Sequence, residues 1–160
     1  MAGIAGVMFG GGKMRLDKGG SNDDKLVLSN GLTVRFKDLS RRVAGDRWYV
    51  GFEVEIPVEV KLEYFAGEDD PQRAYQEFIQ HVGPVYVFTY KKERNFIDEK
   101  EVDKVWQTME KDFLDANLAY LQIERFPEMC IRKAYRDWKE EQRWRVLHEQ
   151  AVHQTDSEQS

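Results

Sequence analysis

From Trp48 to Leu62 every second residue is apolar: Trp48, Val50, Phe52, Val54, Ile56, Val58, Val60 and Leu62. The residues between them are Tyr49, Gly51, Glu53, Glu55, Pro57, Glu59 and Lys61. Side chains alternate across a strand, so this pattern commits one face to a core and leaves the other mostly wet, as in an antiparallel sheet. At about 3.3 Å per residue the run exceeds roughly 45 Å, which is long for a strand, and a bend or break is expected near Pro57. Proline in a strand also points to an edge or a bulge.

Two shorter strands are expected before it, over residues 25–29 and 32–38, joined by Asn30-Gly31 in a tight type I′ turn. After it, Asp69 or Asp70 can cap a helix with Pro71 in the first position, and Ala74, Tyr75, Phe78, Ile79 and Val82 form its apolar face. Gly83-Pro84 stops that helix, and residues 85–91 read as a further strand. Asp98 and Glu101 have the spacing of a capping box. Behind them Val102, Val105, Trp106, Met109, Phe113, Ala116 and Tyr120 make one helical stripe, and Leu114, Leu118 and Leu121 a second. Pro127 separates this helix from the next, whose inner face carries Ile131, Ala134, Tyr135 and Trp138. The expected fold is therefore α+β: a small antiparallel sheet of about four strands, one long and bent, packed against long C-terminal helices.

A chain of 160 residues fits one domain of ordinary size. We place that domain at residues 25–150, after a glycine-rich leader over residues 1–24 and before a polar, fraying tail over residues 151–160. The leader's apolar start lacks a basic flank and is interrupted by Gly10, Gly11 and Gly12, so it reads as neither a signal peptide nor a membrane span. The formal charge of −5 gives no argument for a polyanionic partner, and nucleic acid is not expected. Cys130 is the only cysteine, which excludes an intrachain disulfide and a cysteine-rich zinc site. The natural setting is a soluble protein of the reducing cytoplasm.

Several chemical motifs nearly form and then fail. Gly10-Gly11-Gly12-Lys13 resembles a phosphate-binding loop, but Val7 stands at the leading glycine position and Met14 where Ser or Thr should follow. His148 and His153 are five residues apart, so on a helix their imidazoles diverge by about 140° rather than facing one metal. Glu53, Glu55 and Glu59 share the wet face of the long strand, where nothing separates their pKa values for acid–base work. Cys130, beside Ile131 and Ala134, reads as a buried structural thiol, and His81 as a helix-end residue serving the dipole. No nucleophile, base and oxyanion donor converge, so no catalytic residue, cofactor or metal is assigned.

Residues 38–48 hold more interest, with three arginines, two aspartates and a glycine expected in one loop. Asp38, Ser40, Arg41, Arg42, Asp46 and Arg47 form the candidate ligand set, because forked guanidinium groups suit a phosphate or carboxylate. The run of Asp38, Ser40 and Gly45 resembles the second motif of PilZ domains, small β-barrels that bind cyclic di-GMP. Two departures separate them: the glycine comes two residues late, and Arg41 and Arg42 lie inside the motif rather than upstream. The competing reading is a structural loop whose Arg and Asp residues pair with each other.

The last helix changes face. Continuing the stripe of Ile131, Ala134, Tyr135 and Trp138 calls for apolar residues near positions 142 and 145, where Gln142 and Arg145 stand. Trp144, Leu147 and Ala151 instead lie on another face, Trp144 about 120° around the axis from Trp138. These three are the candidate contact for a partner protein or a second subunit. The expected function is that of a non-enzymatic protein-interaction or accessory module. The alternative is a regulatory domain that binds an anionic small ligand such as a nucleotide through residues 38–48.

Overall fold

The computed structural model describes residues 24–158. The leader up to residue 23, with its Gly10-Lys13 run, lies outside the described residues, as do residues 159–160. The described chain is mixed α and β and forms two compact units, one of residues 24–59 with Val85–Phe126, the other of Val60–Pro84 with residues 127–158.

The first unit is a five-stranded antiparallel sheet with a helix. Its strands are β1 (Asp24–Val27), β2 (Thr33–Asp38), β3 (Arg41–Ala44), β4 (Arg47–Glu59) and β5 (Val85–Asp98). β4 is the hub: it pairs with β2 through Phe52 to Glu55, with β3 through Arg47 to Tyr49, and with β5 along its whole length. The sheet thus has one strand more than the sequence led us to expect. Residues 38–48 are not a loop but a turn, the strand β3 and a second turn. All four residues of β3 are exposed, so no buried face writes an alternation into them.

The alternation in β4 reads out as burial, with Val50, Phe52, Val54, Ile56 and Val58 fully shielded. The strand ends at Glu59, and Leu62–Phe65 coils into a 3-10 turn instead of extending it. Pairing runs unbroken through Pro57, which sits opposite Val87. Pairing with β2 begins only at Glu55, so Pro57 stands where β4 has no neighbour on that side and its missing N–H costs no ladder bond. The irregularity lies at the other end, between Trp48 and Val50, where Asn95 and Phe96 of β5 bulge out. Phe96 there adopts a left-handed φ of 59° with its ring 77% exposed.

The turn between β1 and β2 also differs from expectation. Gly31 alone takes a positive φ, and its N–H donates to the Leu28 carbonyl at 3.0 Å while Leu28 N–H donates to Leu32 at 2.7 Å. This is the pattern of a three-residue connection closed by a left-handed glycine, not of a type I′ turn. Asn30 keeps a negative φ, and its side chain reaches out of the turn. Its Nδ2 donates to the carbonyls of Leu121 and Ile123, at 2.8 and 3.0 Å, just past the end of α2 (Val102–Leu121). The start of α2 is simpler than a capping box. Asp98 accepts from Lys100 N–H at 2.9 Å, and the 3-10 turn Glu99–Glu101 leads into the helix.

α2 packs its Trp106, Met109, Phe113 and Leu114 face on the sheet. Phe36 and Phe52 meet edge to face at 5.4 Å, with Trp106 5.2 Å from Phe52 and Phe113 5.9 Å from Phe36. Truncating any of these rings to alanine costs about 3–5 kcal/mol.

The second unit is helical. Asp70 caps α1 (Pro71–Val82) by accepting from Arg73 N–H, Pro71 occupies the first turn, and Gly83 ends the helix at a φ of 85°. α3 (Phe126–Glu158) supplies Tyr135 and Trp138, which close an aromatic cluster with Phe65 and Phe78. His81, expected to serve only the helix end, stacks on Trp138 with centroids 4.8 Å apart and planes 14° from parallel. Cys130 is buried, and burial pushes its thiol up to about 11. Among the described residues no helix is long and apolar enough to cross a membrane.

Candidate functional site

Two regions carry the residues singled out from sequence, and each belongs to one unit. In the first, the β3–β4 hairpin spreads the arginine set along its length. Asp38 accepts from Ser40 N–H at 2.9 Å, which turns the chain from β2 into β3. Ser40 Oγ accepts from Gly51 N–H at 3.2 Å and so holds the turn against β4. Asp38 and Ser40 therefore build the hairpin's base, while Asp46 and Arg47 stand at its tip, where Gly45 supplies a positive φ of 57°.

Each guanidinium already has neighbours. Arg41 lies over the Tyr49 ring at 5.3 Å and Arg42 over Trp48 at 5.9 Å, as the register Arg41↔Tyr49 and Arg42↔Trp48 dictates. Arg42 also pairs with Glu99 at 2.8 Å, and Arg47 lies 3.7 Å from both Asp46 and Asp98. Such exposed pairs contribute about 0.2–1 kcal/mol each, so they orient the arginines without locking them. Sequence reasoning missed Glu99 and Asp98 as partners, because a β4–β5 pairing brings them in from about fifty residues away.

Next to Arg41, the Tyr49 hydroxyl donates to Glu93, and Lys91 lies 3.3 Å from the same carboxylate. The Tyr49 bond chiefly, then Lys91, holds Glu93 below the usual carboxylate range, while the bond to Glu93 raises Tyr49. A Cβ at Gly51 would be tight, 3.0 Å from the Lys92 carbonyl and 3.1 Å from Tyr49 Oη, so a side chain here would press the Tyr49 ring and the β5 backbone back by a few tenths of an ångström. Glu53 and Glu55 sit between oppositely charged neighbours, Glu53 between Lys37 and Lys91, and Glu55 beside Arg35. That pattern belongs to a solvated sheet face with charge-matched strands.

The second region is the far half of α3. The inner face of this helix is spent by Trp138 and Lys139, and residues 140–158 are exposed without exception. Trp144, Leu147, Val146 and Val152 are 67, 57, 50 and 47% exposed, and Ala151 is exposed beside them. With 100° per residue, Trp144, Leu147, Ala151 and Thr155 fall within about 80° of one another, and that stripe faces away from the Ile131–Tyr135–Trp138 side. Arg145 pairs with Glu141 at 3.8 Å on the flank. His148 and His153 point apart on this same arm, and among the described residues no group of three His, Cys, Asp or Glu side chains could hold a metal.

A shallow cleft of about 400 Å³ in the second unit is lined by Glu77, Gln80, His81, Trp138, Lys139 and Gln142. The Lys139–Glu77 pair at 3.4 Å forms one wall. Arg73 at 3.0 Å, through its hydrogen bond first and Lys139 second, holds Glu77 below the usual carboxylate range. Compared with protein-family models, curated proteins and solved structures, the chain matches none.

Proposed function

We propose that this chain is a non-enzymatic interaction or accessory module of the cytoplasm whose contact element is the far half of α3. What supports the reading is one observation: residues 140–158 are exposed throughout, yet they carry Trp144, Leu147 and Ala151 on a single face. A helix this exposed draws no stability from packing on its own protein, and most helices owe theirs to an apolar face that is covered. Tryptophan is among the side chains that most often carry the energy of a protein contact, and apolar residues at i, i+3 and i+7 are the spacing by which an amphipathic helix enters a partner's groove. The single buried thiol and the lack of cystine fit a reducing compartment.

A photo-cross-linking side chain at Gln150, carried on the full chain in cells, tests the proposal. Adducts are expected with the parent and lost in Trp144→Ala and Leu147→Ala, with the monomer's melting temperature unchanged within a few degrees. Unchanged association together with a marked loss of stability assigns these side chains to the protein's own core and ends the reading.

The second reading, an anionic ligand bound by residues 38–48, has in its favour that Arg41, Arg42 and Arg47 share one hairpin. Against it, each guanidinium is engaged by Tyr49, Trp48, Glu99, Asp46 or Asp98.

A further inference from the structure

We propose that the outer edge of β5 is an interaction surface whose occupant is the same edge of a second copy of this chain, running antiparallel. This contact is independent of the α3 arm.

Gly51 donates its N–H to Ser40 Oγ at 3.2 Å and accepts from Leu39 N–H at 2.9 Å, so its backbone polar groups point away from β5. In an antiparallel pair such residues alternate with those that bond across, so Glu53, Glu55, Pro57 and Glu59 also turn their backbone away from β5. Opposite Gly51 and these four, in register, stand Glu93, Lys91, Thr89, Val87 and Val85. The N–H and C=O groups of those five β5 residues point off its far side, where no described strand pairs. Edge strands are ordinarily kept short or interrupted by proline, and β5 runs from Val85 to Asp98 without one. A row of this kind is matched by another extended chain.

The apolar layer of the sheet is also incomplete along β5. Val54, Ile56 and Val58 of β4 are fully shielded, but the residues directly opposite them are not: Tyr90 is 41% exposed, and Phe88 and Tyr86 are half-buried. The layer ends at the β5 edge in a row of three rings. A strand added there covers them with its own side chains.

The order of the rings names the occupant. Tyr86, Phe88 and Tyr90 read the same in both directions, so an antiparallel copy with Phe88 opposite Phe88 sets tyrosine opposite tyrosine on either side. Moving the axis by one residue either way leaves a tyrosine with no ring across from it. In the ring-matched register Val87 faces Thr89 and Val85 faces Lys91, all with their backbone groups turned to the partner, and residues 85–91 of the two chains exchange about eight backbone hydrogen bonds. Lysine on an edge ordinarily repels a copy of itself. Here Lys91 lies across from Val85 and is held by Glu93 of its own strand at 3.3 Å, while Lys92 lies beyond the last ring pair, so neither meets its own copy. The pairing is twofold and closes at two copies.

The test uses the full chain. Val87→Pro removes an N–H that the chain's own ladder does not use, as Pro57 opposite it does in β4. Sedimentation equilibrium over a concentration series should show the parent dimerising and Val87→Pro doing so at least about tenfold more weakly, with circular dichroism confirming that the variant folds. In the parent, the amides of Val87, Thr89 and Lys91 should exchange more slowly as concentration rises. A mixture of Val87→Cys and Thr89→Cys chains should oxidise to the mixed disulfide in preference to either chain's own. A parent that is monomeric at every concentration overturns the inference, as does a dimer that folded Val87→Pro leaves intact. If Val87→Pro unfolds, hydrogen exchange decides, and amides that exchange as fast in the dimer as in the monomer overturn it. Thr89→Cys chains that oxidise chiefly with one another move the axis and overturn the ring-matched register. The cross-linker at Gln150 reports on the α3 arm alone, so either contact can fail without the other.

Discussion

Asn30, in the first turn of the sheet, donates its side-chain amide to the carbonyl of Leu121, the last residue of α2, at 2.8 Å. A second bond to Ile123 and one from Leu32 N–H to Oδ1 complete the amide's engagement. The helix end has carbonyls without intrahelical partners, and a turn ninety residues away in sequence supplies the donor. Asn30→Ala should therefore cost about 1–2 kcal/mol, measured by urea unfolding. Asn30→Asp should cost more at neutral pH, since it replaces a donor with a negative charge against the negative end of the helix dipole. Equal stabilities for the Ala and Asp variants would show that Asn30 acts through its backbone alone.

Phe96 holds a left-handed φ of 59° with its ring in water, so its side chain returns little for the strain. Asparagine tolerates that conformation far better than an aromatic residue. Phe96→Asn is expected to raise stability by up to about 1 kcal/mol in thermal or chemical unfolding. A clear loss of stability would mean that the ring is packed after all.

Cys130 should be chemically quiet. With its thiol pushed up to about 11 by burial, the thiolate fraction at pH 8 is on the order of a hundredfold below that of an exposed cysteine, and iodoacetamide should modify it only as the protein unfolds. The same shift sets a sign. Folded and unfolded chains both keep the proton below the ordinary thiol value of 9.0, so stability is insensitive to this group there. Between that value and about 11 the unfolded chain releases the proton first, and stability falls as pH rises. A Cys130→Ala variant should lack that part of the alkaline slope.

The double variant Arg41→Ala, Arg42→Ala separates the two readings of the β3–β4 hairpin. Each arginine contributes an exposed cation–π contact, and Arg42 one exposed ion pair, so together they should be worth no more than about 2 kcal/mol. The variant should fold with a slightly lowered melting temperature. A nucleotide that stabilises the parent in a thermal-shift screen but not this variant would establish the hairpin as a ligand site; global unfolding would make both arginines structural.

The elements that were legible in the sequence are those that bury one face or carry their own caps. Val50 to Val58 alternate because one side of β4 is fully shielded, and Asp70, Pro71 and Gly83 delimit α1 by local chemistry alone. β3 and the second half of β5 were illegible for the opposite reason: Arg41 to Ala44 and Lys91 to Phe96 are almost wholly exposed, and their strand state comes from pairing with β4. Residues 38–48 looked like a loop because arginine and aspartate at a sheet edge leave the same trace as a turn. The exposed stripe of α3 was readable at Trp144 and Leu147, where the apolar pattern changes face. The engagement of Asn30 with Leu121 was not, because nothing near Asn30 records a partner so distant in the chain.

The β4–β5 ladder is the longest in the sheet, yet its first rung, Glu59 opposite Val85, spans the whole of Val60–Pro84. Closing an intervening segment of that length costs about 2 kcal/mol more than closing a two-residue turn, before any strand bond is gained. The segment shortens its own span: α1 is capped at both ends by its own sequence, and the Val60 N–H meets the Pro84 carbonyl at 3.0 Å, drawing the two strand ends together. Order of assembly follows from this. Residues that stabilise α1 locally, Asp70 and Gly83 first among them, should govern how fast the sheet forms as well as how stable it is, and their substitution should slow refolding in a stopped-flow experiment more than it speeds unfolding.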